Sequence, residues 1–233
     1  MDRRKINRPA RILITTAVLL VVLTAAVSAS GNGEQSGEAS AEATVALYGV
    51  MEYVEGEVTV DGEAASIGDR VDSGQLVETG PNGLAEIVFD DRNVFQLREN
   101  TTIRLDLQGG EVRTAELETG SFAAVFDRLR QVTGDTAFEI RTPTAVAGVR
   151  GTTFFVRVES ATSTYVCTCN GETELQGLSD AEQLNVDSEY HTAYRFIRGD
   201  DGISTESAPL IYHTDEEMND LAASIGATIP WYE

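Results

Sequence analysis

Thr142-Pro-Thr-Ala-Val-Ala-Gly-Val-Arg-Gly-Thr-Thr-Phe-Phe-Val156 sets the structural class of this chain. Pro143 has no backbone N–H and pushes Thr142 into an extended conformation. Gly148 and Gly151 bracket Val149-Arg150 and mark tight bends or a close backbone approach. Thr152 to Val158 then reads as a strand rich in β-branched and aromatic residues. Arg150 is the only charge before Arg157, placed to pair with a carboxylate or to cap backbone carbonyls at the bend. The stretch holds no obvious catalytic group, so Pro143 and the glycines read as structural.

Working outward, short β-patterned segments lie on both sides. From Val45 the pattern has period two. Ala46 to Val60 reads as two strands around Glu55-Gly56, and Asp61-Gly62 is a two-residue hairpin signal. Strands are expected at Leu84–Phe89, Val94–Leu97, Thr102–Leu107, Val112–Leu117 and Ser121–Phe126, with Gly, Asn and Asp in the turns between them. A short helix is expected over Ala123–Val132. Strands of this length with turns at close intervals make an all-β domain. No helix alternates with the strands, which disfavours a doubly wound nucleotide-binding fold. No nucleophile motif, P-loop or dinucleotide fingerprint occurs, and no spacing singles out two of the carboxylates, so the chain reads as non-enzymatic.

The charge is divided unevenly. The net charge is −21, yet Arg3, Arg4, Lys5, Arg8 and Arg11 lie in the first eleven positions. Beyond them stand 12 basic against 37 acidic residues, and no lysine. Such a surface repels nucleic acid and anionic headgroups and suits a protein kept soluble at high salt. The basic start runs into the apolar stretch Ile12–Val27, followed by the small-residue pattern Val27-Ser28-Ala29. Residues 1–29 therefore read as a secretory signal cleaved after Ala29, or as an uncleaved N-terminal membrane anchor. Both put the remainder outside the cytoplasm, periplasmic or secreted, with membrane contact only through the N-terminal segment if it stays. Residues 30–44 are small, polar and acidic, a flexible linker.

Ordered motifs carry a family resemblance. They are Gly56-Glu-Val58 with Val60, Gly68-Asp69-Arg-Val71, Thr79-Gly80, Ala85-Glu-Ile-Val-Phe-Asp90, Leu97-Arg-Glu-Asn-Thr101 and Leu117-Glu-Thr-Gly120, then Phe138 through Val156, and finally Thr164 to Leu175 with Asn170-Gly171. In this order they resemble the FecR domain family over about residues 50–176, with Thr142, Pro143, Gly148, Arg150, Gly151 and Thr152 in its most specific motif. The resemblance implies an extracytoplasmic all-β domain, a rolled or solenoid-like stack of short strands over 45–176, with a binding or signalling role. The best-known members are anti-sigma regulators with a cytoplasmic helical domain. The eleven residues ahead of the apolar run are too few for one, so the resemblance implies a stand-alone extracytoplasmic module. Asp91-Arg92-Asn93 stands where the family usually has a Gly-containing turn.

The segment 177–233 is a C-terminal extension. Thr214-Asp-Glu-Glu217 is a capping box opening a helix over 215–225, with Met218, Leu221, Ala222 and Ile225 on one face and Gly226 as its stop. Ile229-Pro-Trp-Tyr232 is expected to dock back on the domain. Both cysteines and both histidines of the chain lie in its last third. Cys167 and Cys169 are two apart on a strand and so share a face; by the family pattern Val166 and Thr168 face inward and the cysteines outward. Three readings stand open. The four are unrelated semi-buried thiols and surface imidazoles. Alternatively, the cysteines form a strained, redox-active disulfide, with Cα atoms about 6.5–7 Å apart at the limit of good geometry. Or Cys167, Cys169, His191 and His213 hold a tetrahedral zinc ion. The functional expectation is a binding, scaffolding or signalling module of the cell envelope, with an envelope protein or surface glycan as partner. The alternative is a metal- or redox-responsive sensor built on the Cys/His cluster.

Overall fold

The structure is a computed structural model that describes residues 48–89, 93–107, 113–126, 138–178 and 183–231. The expected signal or anchor and the acidic linker lie outside the described residues, as does the turn at 90–92. Fifteen strands join in one sheet: β1 (Gly49–Glu55), β2 (Val58–Val60), β3 (Glu63–Ala64), β4 (Arg70–Val71), β5 (Leu76–Thr79), β6 (Leu84–Phe89), β7 (Asn93–Leu97), β8 (Thr102–Asp106), β9 (Arg113–Phe126), β10 (Phe138–Arg141), β11 (Ala145–Ser160), β12 (Ser163–Gly177), β13 (Gln183–Ser188), β14 (Thr192–Gly199) and β15 (Gly202–Ala208). One helix follows, α1 (Asp215–Ser224). Among the described residues no helix is long and apolar enough to cross a membrane.

The all-β expectation holds, with the helix at the C-terminal end. The rolled arrangement is the one adopted. A solenoid would stack parallel strands coil upon coil, whereas among the described residues β9–β10 is the single parallel pairing and the others are antiparallel. The roll is organised by two long strands that change partners midway. The first half of β9 lies between β8 and β10, and its second half lies between β7 and β11. The switch falls at Gly120, in the left-handed region at φ 85°, where a side chain would collide with Thr101. Val112–Leu117 and Ser121–Phe126 are therefore one strand from Arg113 onward, bent rather than turned. The expected helix over Ala123–Val132 is replaced up to Phe126 by the end of β9, because tertiary pairing overrides weak local propensity; its remainder lies outside the described residues.

The motif stretch is likewise one strand. Gly148 sits in regular ladder opposite Glu139 and Glu174, so the bend expected there is absent. The irregularity is at Gly151, φ 55°, where the register against β12 shifts between Arg150 and Thr153. This is a β-bulge, which adds a residue and re-aims the strand. Thr152 fixes it by donating its hydroxyl to Glu172 O at 2.6 Å. Thr142 closes the turn before the strand: its hydroxyl accepts from Ala145 N and donates to Ala145 O, both at 2.9 Å. Pro143 O accepts from the Arg198 guanidinium. The Arg150 side chain lies outside the described residues.

Because side chains alternate along a strand, β7, β9, β11 and β12 build two cores. One face carries Phe95, Phe122, Phe126, Phe154 and Val166 into the interior of the roll, with Phe89 and Phe138. Ring centroids there lie 4.4–6.4 Å apart. The opposite face carries Val94, Ala123, Val125, Phe155, Tyr165, Cys167 and Cys169. Met218, Leu221 and Ala222 of α1, with Ile229, cover this second face.

Candidate metal centre

The second core contains the polar cluster. Cys167 and Cys169 are on β12, on the face that Val166 does not share, and both are fully buried. His191 lies between β13 and β14, and its backbone N–H donates to Cys169 O at 3.0 Å. His213 lies just ahead of α1. All four candidate ligands are thus brought together: their ligand atoms lie within 4.8 Å of one another.

Individual spacings are more telling. Cys167 Sγ and Cys169 Sγ are 3.9 Å apart. His191 Nδ1 and His213 Nε2 are 3.3 Å apart. The sulfur–nitrogen distances are 3.5 Å for Cys167–His191 and 3.3 Å for Cys169–His213. A tetrahedron built on Zn–S bonds of about 2.3 Å and Zn–N bonds of about 2.0–2.1 Å has edges of about 3.8, 3.6 and 3.3 Å for S–S, S–N and N–N. Four of the six edges fall close to those lengths, and the other two lie within 4.8 Å. The cysteines are free thiols, and at this separation no disulfide joins them. The reading as four unrelated side chains is excluded by the same distances.

Partners outside the cluster orient both rings. His213 Nδ1 is 3.1 Å from Ile211 O and donates to it, which leaves the Nε2 lone pair facing the thiols. His191 Nε2 is 2.9 Å from Asp215 Oδ1, which leaves Nδ1 facing inward. Asp215 Oδ2 accepts from the Tyr190 hydroxyl at 3.0 Å. Such carboxylate–imidazole pairs fix the tautomer and raise ligand basicity at metal sites. The site is also dry. The Phe155 ring stacks on His213 at 4.6 Å and Trp231 stacks on His191 at 5.0 Å. The His191 side chain is 2% exposed. Trp231 donates its indole N–H to Asn219 Oδ1, so the C-terminal tryptophan does dock.

Two backbone features mark the place. Among four described non-glycine residues at positive φ are His191, at 37°, and Tyr212, at 70°. One is a candidate ligand and the other precedes one. Such conformations cost about 1–3 kcal/mol each and collect where a side chain must be aimed.

The electrostatics suit thiolate chemistry. The Cys167 thiol is held down to about 4, first by the hydrogen bond from Cys169 and then, against burial, by the neighbouring His191 and His213. Burial pushes Cys169 up, and the neighbouring Cys167 adds to it. For His191 burial pulls downward, but Cys167 and Asp215 outweigh it and the imidazole is raised. Two thiols driven apart in acidity beside a buried imidazole form a set suited to giving up protons to a cation.

The sequence points to the four candidate ligands but not to Asp215, Tyr190 or Phe155 beside them. Asp215 carries a usable signal: it follows His213 by two residues and opens a capped helix. Nothing in the spacing tied it to His191.

Residues 75–172 match the family model described as FecR protein. Two crystal structures of an anti-sigma factor candidate from Parabacteroides distasonis, at 1.65 and 2.50 Å, are similar at 16% identity with a TM-score of 0.44. Each alignment covers 57% of this chain and 59% of the other, so the chain spans under two thirds of their length. No curated protein matches. The matched segment holds the bent β9, the bulged β11 and both cysteines; the two histidines lie beyond it. From the residue before β5 into β12, this chain is similar to the FecR family.

Proposed function

We propose that this chain is a non-enzymatic FecR module of the cell envelope, acting outside the cytoplasm, whose Cys167–Cys169–His191–His213 centre holds a zinc ion and makes the module metal-responsive. The observation that carries the metal is the convergence of two sulfurs and two ring nitrogens within 4.8 Å of one another, with both rings oriented by partners outside the cluster. Four protein ligands leave no open coordination position, which is the pattern of a structural rather than a catalytic zinc. The FecR domain supports the signalling role. The acid surface, the basic N-terminus and the apolar run after it support an extracytoplasmic place, with an envelope protein or surface glycan as partner.

Zinc content of the purified full chain tests the metal directly. Wild type is expected to carry one equivalent and Cys167→Ser to lose it. Wild type without stoichiometric metal after exposure to zinc sinks the proposal. A redox reading rests on the same 3.9 Å sulfur pair. Mass spectrometry after peroxide treatment of the zinc-free chain checks it: loss of two hydrogens, reversed by a reductant, supports a Cys167–Cys169 bridge, and an unchanged mass contradicts it.

A further inference from the structure

The four ligands come from two differently attached parts of the chain. Cys167, Cys169 and His191 belong to the sheet or its turns. His213 alone comes from the arm Pro209–Trp231, which crosses the second face and ends the described chain. Asp215, which orients His191, is the first residue of α1 in the same arm. Trp231, at the far end of the arm, returns to stack on His191.

The arm has other ties along its length: the Tyr165 hydroxyl donates to Pro209 O and accepts from Ile211 N, and the Tyr212 hydroxyl donates to Glu159. Arg98 donates to Tyr212 O at 2.7 Å and pairs with Glu217 at 3.3 Å. Asn170 donates to Pro230 O at 3.1 Å. Beneath the arm lies the apolar face formed by Val94, Val125, Phe155 and Tyr165. We propose that the metal centre is a latch: the ion fastens the C-terminal arm over the second face of the sheet, and Asp215 is the positioning residue that carries metal occupancy into helix α1. This rests on the zinc reading of the site and adds a consequence to it. A bound ion joins His213 to three ligands of the sheet, so opening the arm requires breaking a metal–ligand bond. Asp215 makes the connection two-sided. Its carboxylate holds a ligand belonging to the sheet while its backbone begins the helix, so a displaced helix also releases the His191 ring.

The test is backbone hydrogen exchange of the full chain, with and without zinc, read segment by segment. Metal binding is followed separately through the thiolate charge-transfer absorption of added Co²⁺. At a metal concentration a hundred times Kd, linkage slows opening of the bound region about 100-fold. The expected result is that slowing within 209–231, with little change in β6, β7 and β9. Trp231, the single tryptophan of the chain, should change its fluorescence in parallel. Asp215→Ala should weaken zinc about 10–100-fold and uncouple the Trp231 response, and Asp215→Asn, which keeps an acceptor for His191, should restore part of both. A purely structural Asp215 would leave affinity and the Co²⁺ spectrum unmoved, and that result overturns its role. A Co²⁺ band with unchanged exchange in the arm overturns the latch alone. No band at all overturns the site and the latch together.

Discussion

Gly120→Ala is the sharpest probe of how the sheet rolls. The residue sits at φ 85° where β9 exchanges β8 and β10 for β7 and β11. Two costs are separable. An L-residue in the left-handed region costs about 1–2 kcal/mol. A Cβ there would also fall well inside contact distance of Thr101 Cα and Oγ1, and 2.6 Å from Asn100 O. These atoms cannot retreat cheaply. The Thr101 hydroxyl accepts from Ser121 N at 3.0 Å and donates to Ser121 O, and its own N–H donates to Thr79 Oγ1 at 2.9 Å. Overpacking against fixed backbone adds about 1–3 kcal/mol, so Gly120→Ala should lose about 2–5 kcal/mol in all. Gly62 supplies the control. Its φ is 81°, and nothing lies within 4 Å of where its Cβ would be. Gly62→Ala should therefore show the conformational cost alone. Urea unfolding of the three proteins, with slopes compared for two-state behaviour, reads both. A Gly120→Ala loss no larger than that of Gly62→Ala would refute the steric argument and the close approach of β8 to β9 with it.

Other expectations follow from single contacts. Glu159 binds Arg195 in bidentate fashion at 2.8 and 2.9 Å and accepts from Ser163 and Tyr212, and chiefly through Arg195 its carboxyl is lowered to about 2. A lowered folded-state value means stability present above the ordinary 4.5 and lost as pH falls through about 2. Glu159→Gln should remove about 1–2 kcal/mol at neutral pH, after allowance for solvent at the pair, and flatten stability across that window; parallel acid profiles would contradict it. Thr214 accepts from Glu217 N, and Glu217 Oε2 accepts in return from Thr214 N at 2.9 Å. Thr214→Ala should cost about 0.5–2 kcal/mol and also weaken metal binding, since the helix that loosens carries Asp215. Unfolding and zinc competition on the same sample check both.

Much of this fold is legible in the sequence because β pairing writes itself as period two. Runs such as Phe122-Ala-Ala-Val-Phe126 and Thr152-Thr-Phe-Phe-Val156 break that period. Both runs are buried throughout because both faces are covered, one by the roll and the other by α1 and the arm. A strand buried on both faces looks locally like a helix of the same length, which is why Ala123 to Phe126 invites the wrong assignment. Gly120 and Gly151 announce bends, but only the pairing shows that each sits inside a continuous strand. At the site, the Cys-x-Cys spacing on β12 fixes two ligands on one face. The histidines are 24 and 44 residues from their nearest cysteine partners in the cluster, so only the topology brings them in. Asp215 lay one step further away, because its role depends on where the helix docks and not on any spacing.

The four side chains are proposed to bind one metal ion in common. Co²⁺ titration of the full chain, carried out under reducing conditions, measures this most directly. One equivalent should bind per chain, with strong thiolate-to-cobalt absorption and the intense visible bands of a tetrahedral site, displaced by zinc. Cys167→Ser and His213→Ala should each abolish those bands. Saturation without thiolate absorption, or an unchanged spectrum in either variant, would contradict it.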